Sequence, residues 1–283
     1  MQITGKTKIV GIFGYPIEHT FSPPMHNAAF NALGIDYCYI PFSVKPGTLA
    51  TAVSSIRALN LKGVNITIPH KEKVIPYLDE LDKEAEIAGA VNTIVNRDGK
   101  LIGYNTDGRG FFNSMKESGV TLDDKRIMVL GAGGAARAIT LTAVAKNPKQ
   151  LTIANRTQEK SVILAQQVMD VYQCTDVGAI SLEDIESLYN FDILINATSL
   201  GMKEDDPFPV DPDLIHNRLT VCDIVPKVTP LSIEARKKGA KVVDGFGMLL
   251  HQGALSFELW TGLTPPLEVM RDALQSKVPQ KVI

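Results

Sequence analysis

The sequence predicts an α/β protein of two domains, each a sheet with covering helices. Three observations predict it. Strand-sized apolar runs alternate with helix-sized stretches along the chain, the pattern of parallel sheets joined by helical crossovers. A glycine-rich turn, GAGGAARA (131–138), stands between an apolar strand and a helix and opens a second block of this alternation. The length, 283 residues, suits about two domains.

In order, KIVGIFGYP (8–16) is a strand by its apolar run, and PPMHNAAFNAL (23–33) a helix. YCYIPFSV (37–44), aromatic and apolar, is a strand, and 48–59 a helix. GVNITIP (63–69) alternates as a strand until Pro69 stops it, and the residues from His70 read as the first turn of a helix. VNTIVNRDGKLIGYN (91–105) is two strands around an Asp98-Gly99 turn, and a helix follows from Asp107 to about Ser118. In the second block RIMVL (126–130) is a strand feeding the glycine-rich turn and its helix. LTIAN (151–155), DILINAT (192–198), TVCDIV (220–225) and AKVVDG (240–245) are further strands, and the tail from Met248 is largely helical. No Gly/Ser linker separates the blocks, so the pattern alone places the boundary near Asp107.

Composition narrows the function. Apolar residues at 45% and charged residues at 21% fit a globular protein with an ordinary core. A net charge of −2 gives no field for nucleic acid or acidic membranes. Apolar runs fall far short of the roughly 20 residues a membrane span needs. MQITGKTKIVGIFG has neither the apolar stretch nor the cleavage site of a secretion signal, so a cytoplasmic protein is expected. Cys38, Cys174 and Cys222 share no metal-type spacing and are expected to be free buried thiols. His19, His26, His70, His216 and His251 form no metal motif and read as packed or surface residues; no metal is expected. Trp260 and the scattered Phe and Met residues read as core.

Gly131, Gly133 and Ala136 make G-x-G-x-x-A after a strand. The first turns the chain tightly, the second lets a pyrophosphate approach the backbone, and the alanine packs helix on strand, with the anion at the helix N-terminus. This is a Rossmann-like dinucleotide site. An NAD site places a carboxylate at the tip of the next strand. Here that place reads NRTQEK: Arg156 suits a 2′-phosphate, Thr157 offers a hydroxyl and Lys160 adds charge, which favours NADP.

The other block carries lysines where a helix would start, in NITIPHKEKV (65–74). A helix N-terminus favours carboxylates over cations, so a lysine there would release its proton more easily, and a neighbouring carboxylate would oppose this. Lys71 with Asp107, at the hand-over from strand to helix in GYNTDGRGF, is a pair that exchanges a proton with a substrate hydroxyl while hydride moves to a nicotinamide. On charge alone, Lys71 and Lys73 read as exposed surface lysines. Asn65, Thr67, Asn92, Asn105 and Thr106 stand near strand ends, where α/β sheets bind ligands.

Together, GYPIEHTFSPPMHN (14–27), NITIPHK (65–71), GAVNTI (89–94), GYNTDGRGF (103–111), GAGGAARA, NRT (155–157), NATSLGM (196–202) and GMLLHQGA (247–254) resemble the shikimate dehydrogenase family over nearly the whole chain. The resemblance implies reversible NADPH-linked reduction of 3-dehydroshikimate to shikimate in aromatic amino-acid synthesis. It also implies two α/β domains with a cleft between them: residues 1–107 with 246–283 for substrate and catalysis, and 108–245 for NADP. Lys71 and Asp107 would be the catalytic pair. Thr20 and Ser22 would bind the substrate carboxylate, and Thr67, Asn92 and Gln252 the ring hydroxyls. Gly131, Ala132, Gly133, Gly134, Ala135, Asn155, Arg156, Thr157, Lys160, Thr198, Met202 and Gly245 would hold the cofactor, in a monomer or homodimer. Two features depart from the family pattern: Thr20-Phe21-Ser22 stands for the usual Ser-x-Ser, and CDIVPKVTPL (222–231) lacks a Tyr-Asn before its proline. Both bear on substrate choice, so a quinate-using dehydrogenase is the nearest rival. A non-catalytic dinucleotide sensor and a dehydrogenase for another hydroxy acid are further alternatives.

Overall fold

The structure, a computed structural model, describes residues 2–173 and 177–276. Cys174 and the last seven residues of the expected substrate domain lie outside the described residues. The chain divides into two compact units, one running to Thr106 and resuming at Leu250, the other Asp107–Leu249.

The first unit begins β1 (Lys8–Gly14), α1 (Ser22–Ala32), β2 (Tyr37–Ser43), α2 (Leu49–Ala58) and β3 (Gly63–Ile66). It continues β4 (Glu80–Leu81), α3 (Lys83–Ala88), β5 (Thr93–Arg97) and β6 (Lys100–Tyr104). The sheet order is β2-β1-β3-β5-β6-β4. It is mixed where a parallel sheet was expected: β5 runs against its neighbours β3 and β6, because β5 and β6 are a hairpin turning at Asp98-Gly99. Phe13, Val53, Ile56, Val64, Ile66, Ile94 and Leu101 meet in one core cluster. Each such buried side chain contributes about 1.5–3 kcal/mol.

The second unit contains α4 (Asp107–Glu117), β7 (Arg126–Leu130), α5 (Gly134–Val144), β8 (Gln150–Asn155), α6 (Gln158–Tyr172), β9 (Val177–Ser181), β10 (Ile193–Asn196), β11 (Thr220–Asp223), α7 (Pro230–Lys237) and β12 (Lys241–Val243). α8 (Gly245–Thr261) starts in this unit and belongs to the first from Leu250; α9 (Leu267–Gln275) packs on α1. All pairings are parallel, in the order β12-β11-β10-β7-β8-β9. The chain starts at the centre with β7, winds out to β9, then returns to β7's other side with β10. That doubly wound arrangement leaves a crevice at the carboxyl ends of β7 and β10. The helix α4 approaches α5 so closely that a Cβ on Gly108 would meet Thr142 Oγ1 at 2.1 Å and Ala138 O at 2.7 Å; only glycine fits beside Asp107.

One ion pair ties the starts of β7 and β10. Arg126 donates through Nη2 to Asp192 Oδ1 at 2.9 Å and through Nε to Oδ2 at 3.1 Å. These bonds hold the Asp192 carboxyl down at about 2. A depressed carboxylate adds stability above its unfolded value of about 3.9, and loses it as pH falls through the folded value. Both side chains are about a third exposed, so solvent screening limits the gain to at most about 1 kcal/mol. In urea melts Asp192→Asn is therefore expected to be slightly less stable than the parent at pH 7, with the gap closing between pH 4 and 2. A gap independent of pH would assign the effect to the amide's packing instead.

Candidate active site

In the first unit a chain of buried polar side chains joins residues remote in sequence. Ser22, which opens α1, is 4% exposed. Tyr39 donates to Asn65 Oδ1 at 2.8 Å. Asn65 Nδ2, on β3, faces three acceptors at 3.0–3.1 Å: the Asn92 carbonyl, Thr93 Oγ1 and Ser256 Oγ. Asn92 Nδ2 donates to Thr106 Oγ1 at 2.8 Å and reaches Gln252 Oε1 at 3.4 Å, while its Oδ1 accepts from the Thr106 backbone at 2.9 Å. Leaving a buried polar group unpaired costs about 1–3 kcal/mol, so a mutually satisfied network of this kind has one preferred arrangement.

The structure thus brings Asn65, Asn92 and Gln252 into one network, with Ser22 buried at the start of α1 outside its hydrogen bonds. Thr20 Oγ1 accepts from the Ser22 backbone at 3.3 Å. Thr67 follows β3 half-buried, its N–H bonded to Phe13 O at 3.0 Å. Sequence reasoning missed Tyr39, Thr93 and Ser256. Ser256 carried a signal: it lies four residues after Gln252 and shares its helical face. Tyr39 carried another, a hydroxyl in an apolar strand, which when buried needs a partner.

Lys71 is a correction. No α-helix begins at His70; residues 71–74 are turns, and Ile75–Tyr77 is a single short 3₁₀ turn. The Lys71 carbonyl, which a helix would pair with residue 75, accepts instead from the Val91 N–H at 2.8 Å. His70 is fully buried with Nε2 2.7 Å from Val44 O. The long-range bonds outcompete the helix, so no helix macrodipole acts on Lys71. Its backbone is instead pinned next to Asn92. Asp107 does stand at a real helix start, as the first residue of α4, and is buried. There a carboxylate is favoured.

In the second unit the expected cofactor residues cluster at carboxyl ends of strands. Gly131 leaves β7 with φ +109°, a left-handed conformation that side chains resist, and a Cβ there would meet Ala197 O at 3.1 Å. Ala132 is buried, Gly133 is the N-cap of α5, and Gly134 and Ala135 form its first turn. No side chain caps α5, no acid lies in its first turn, and a Cβ on Gly133 would meet nothing within 4 Å. The space beside Gly133 is open, and the first N–H groups of a helix have no partner within it, which suits a pyrophosphate. At the end of β8, Asn155 Nδ2 donates to Thr157 O at 2.9 Å, and Arg156, Thr157 and Lys160 are exposed. Beyond β10, Thr198 donates to Asn196 Oδ1 at 2.7 Å and accepts from Leu200 N, which sets the loop to exposed Met202. Asn196 is in turn held by Asp223, whose carboxyl burial pushes up. Gly245 begins α8 against the Ile224 carbonyl. These residues fit NADP: an open helix start for phosphates and a basic strand tip without a carboxylate.

A doubly wound unit with an open glycine helix start, and a second α/β unit with a buried polar network, define a two-domain dinucleotide-dependent oxidoreductase of the α/β class. Matches to known families agree. The "Shikimate dehydrogenase substrate binding domain" matches residues 12–94, "Shikimate / quinate 5-dehydrogenase" 114–202 and "Shikimate 5'-dehydrogenase C-terminal domain" 245–275. The chain is 44% identical to the NADP(+) shikimate dehydrogenase of Desulforamulus reducens, over 98% of each chain. A crystal structure of a shikimate dehydrogenase in complex with NADP+ superposes with a TM-score of 0.91 at 41% identity, covering 99% of this chain and 98% of that one. The enzyme from Listeria monocytogenes, in complex with shikimate and NAD, gives 0.87 at 37%, covering 97% and 98%. The chain belongs to the shikimate dehydrogenase family.

Proposed function

We propose that this chain catalyses the reversible NADPH-dependent reduction of 3-dehydroshikimate to shikimate, a step of aromatic amino-acid biosynthesis. The observation that carries the reading is the buried network uniting Asn65, Asn92, Thr106 and Gln252, a set of hydroxyl and amide groups suited to ring hydroxyls. Residues 1–107 with 246–283 take the substrate and 108–245 the cofactor. Thr20 and Ser22 hold the carboxylate; Thr67, Asn92 and Gln252 orient the ring hydroxyls. Lys71 gives the proton to the carbonyl oxygen and takes it back in the reverse direction, with Asp107 as its partner in the transfer. When bound, NADPH supplies the hydride. Gly131, Ala132, Gly133, Gly134 and Ala135 receive its pyrophosphate, Asn155, Arg156, Thr157 and Lys160 its adenosine 2′-phosphate end, and Thr198, Met202 and Gly245 its remaining half. The enzyme works in the cytoplasm, as a monomer or homodimer, without nucleic acid. Among the described residues no helix is long and apolar enough to cross a membrane.

The test is a steady-state assay of shikimate and quinate against NADP and NAD. The expected result is the highest kcat/KM for shikimate with NADP. Calorimetric NADP binding without turnover of any pair would make the chain a dinucleotide sensor.

Thr20 supports quinate as the second reading. Its Oγ1 accepts from the Ser22 N–H, which leaves its single proton for an anion. The added methyl stiffens χ1 relative to serine. Quinate's carboxylate leaves a tetrahedral carbon at another angle, and small shape changes in a pocket are worth about 1–3 kcal/mol. Thr20→Ser is expected to change the shikimate-to-quinate ratio of kcat/KM, with shikimate preferred by the wild type. An unchanged ratio would show that this position does not read the substrate.

A further inference from the structure

The segment CDIVPKVTPL (222–231), which lacks the family's Tyr-Asn, turns three side chains toward the chain that leaves β10. Asn196 ends β10 and Asp223 ends β11, opposite one another in the parallel ladder and buried at 0% and 2% exposure. Both oxygens of the Asp223 carboxyl meet donors. Oδ1 accepts from Asn196 Nδ2 at 3.0 Å and from the Val225 N–H at 3.2 Å, and Oδ2 accepts from Thr229 Oγ1 at 2.6 Å. These bonds offset the cost of burying the group.

A carboxylate only accepts, so the Asn196 amide is held one way round. Its Nδ2 faces Asp223 and the Leu200 carbonyl, 3.2 Å away. Its Oδ1 therefore faces Thr198, accepting from the backbone N–H at 3.2 Å and from the hydroxyl at 2.7 Å. The Thr198 hydroxyl thus commits its one proton and otherwise only accepts, as it does from the Leu200 N–H at 3.0 Å. Further along, Lys227 Nζ donates to the Met202 carbonyl at 2.6 Å. A Cβ on Gly201, at φ +97°, would meet the Thr229 methyl at 3.1 Å. The loop 198–202 is therefore fixed from beneath while Met202 stays exposed.

We propose that Asp223 and Asn196 are a positioning pair that sets the loop 198–202 in the conformation that receives NADP. This rests on the functional reading above, in which Thr198 and Met202 hold part of the cofactor. A loop set in advance lowers the ordering cost of binding. The test is calorimetric titration of NADP into each variant, beside a thermal melt and the KM for shikimate at saturating NADP. Asp223→Ala is expected to raise the NADP Kd about tenfold, the loss of roughly one hydrogen bond's ordering. The shikimate KM should stay within about twofold, since the substrate contacts are untouched. Asp223→Asn keeps an acceptor for Asn196 and turns its amide to Thr229 Oγ1, so its NADP Kd should stay within about twofold of the parent's. In an Asn196→Ala background, Asp223→Ala should add less than about twofold, because its effect passes through Asn196. Ser232→Ala removes the other half of the α7 capping box and should lower the melting temperature without changing NADP affinity. If Asp223→Ala does not fold, Asn196→Ala alone carries the test: it leaves Asp223 its Val225 and Thr229 donors and should raise the same Kd about tenfold. Parent affinity in either alanine variant, a full additive loss in the double variant, or an equal loss of affinity in Ser232→Ala would overturn the assignment while the functional reading stands. A wild type that binds no NADP would remove both.

Discussion

Lys71→Ala is expected to cut shikimate turnover by at least about a hundredfold, the low end for removing a general acid–base group. On the role proposed for Lys71, loss of the ammonium would leave the carbonyl oxygen without its proton donor in reduction and the hydroxyl without its acceptor in oxidation, so both directions should fall together. The fold should survive. Two backbone bonds anchor this turn beside the His70 ring: the Val91 N–H to the Lys71 carbonyl, and the Val74 N–H to the His70 carbonyl at 3.0 Å. Alanine keeps both. The measurement is kcat in each direction beside a thermal melt, and KM for shikimate should change far less than kcat. A mutant with wild-type turnover would sink the assignment. A mutant whose melt collapses would make the residue structural.

Arg156→Ala is expected to weaken NADP by an order of magnitude or more and to leave NAD nearly unchanged. Arg156 follows directly on β8, is exposed, and has no carboxylate beside it at the strand tip. A guanidinium matches a phosphate with two parallel donors, and a charge-assisted bond is worth roughly 1.5–3 kcal/mol. NAD lacks the 2′-phosphate and loses none of this. Calorimetric titration of both dinucleotides into both proteins gives the comparison, and raised salt should narrow the NADP difference because the site is exposed. An equal loss for NAD and NADP would show that Arg156 packs on the adenine or supports the loop.

Much of the candidate site was legible because its chemistry is local. The glycine turn after β7 is written within a few consecutive residues, and the missing carboxylate at the end of β8 is a single position. The lysine-bearing segment was misread for an equally physical reason. Pro69 followed by a charged, strand-breaking run looks like a helix start, but the carbonyl that would build the helix is claimed by Val91, twenty residues on. β9 (VGAIS) was also missed; every residue of it is only partly buried, so it lacks a marked apolar period, and it exists as a strand by pairing with β8. Tyr39 was read only as part of a strand; its buried hydroxyl joins the network because Asn65 meets it.

The sequence by itself determined the alternation of strands and helices, the boundary motif at Asp107, the phosphate turn and its preference for NADP. Each of these depends on backbone preference or charge within a few neighbouring residues. Only the tertiary structure decided that β10 returns beside β7 to complete the crevice, that β5 alone runs against its neighbours, and that Tyr39, Asn65, Asn92 and Ser256 share one hydrogen-bonded network. Strand order and network membership follow from which apolar faces pack together and which buried polar atoms then have to find partners. Those partners lie as far apart as residues 65 and 256, a separation over which no local pattern carries information.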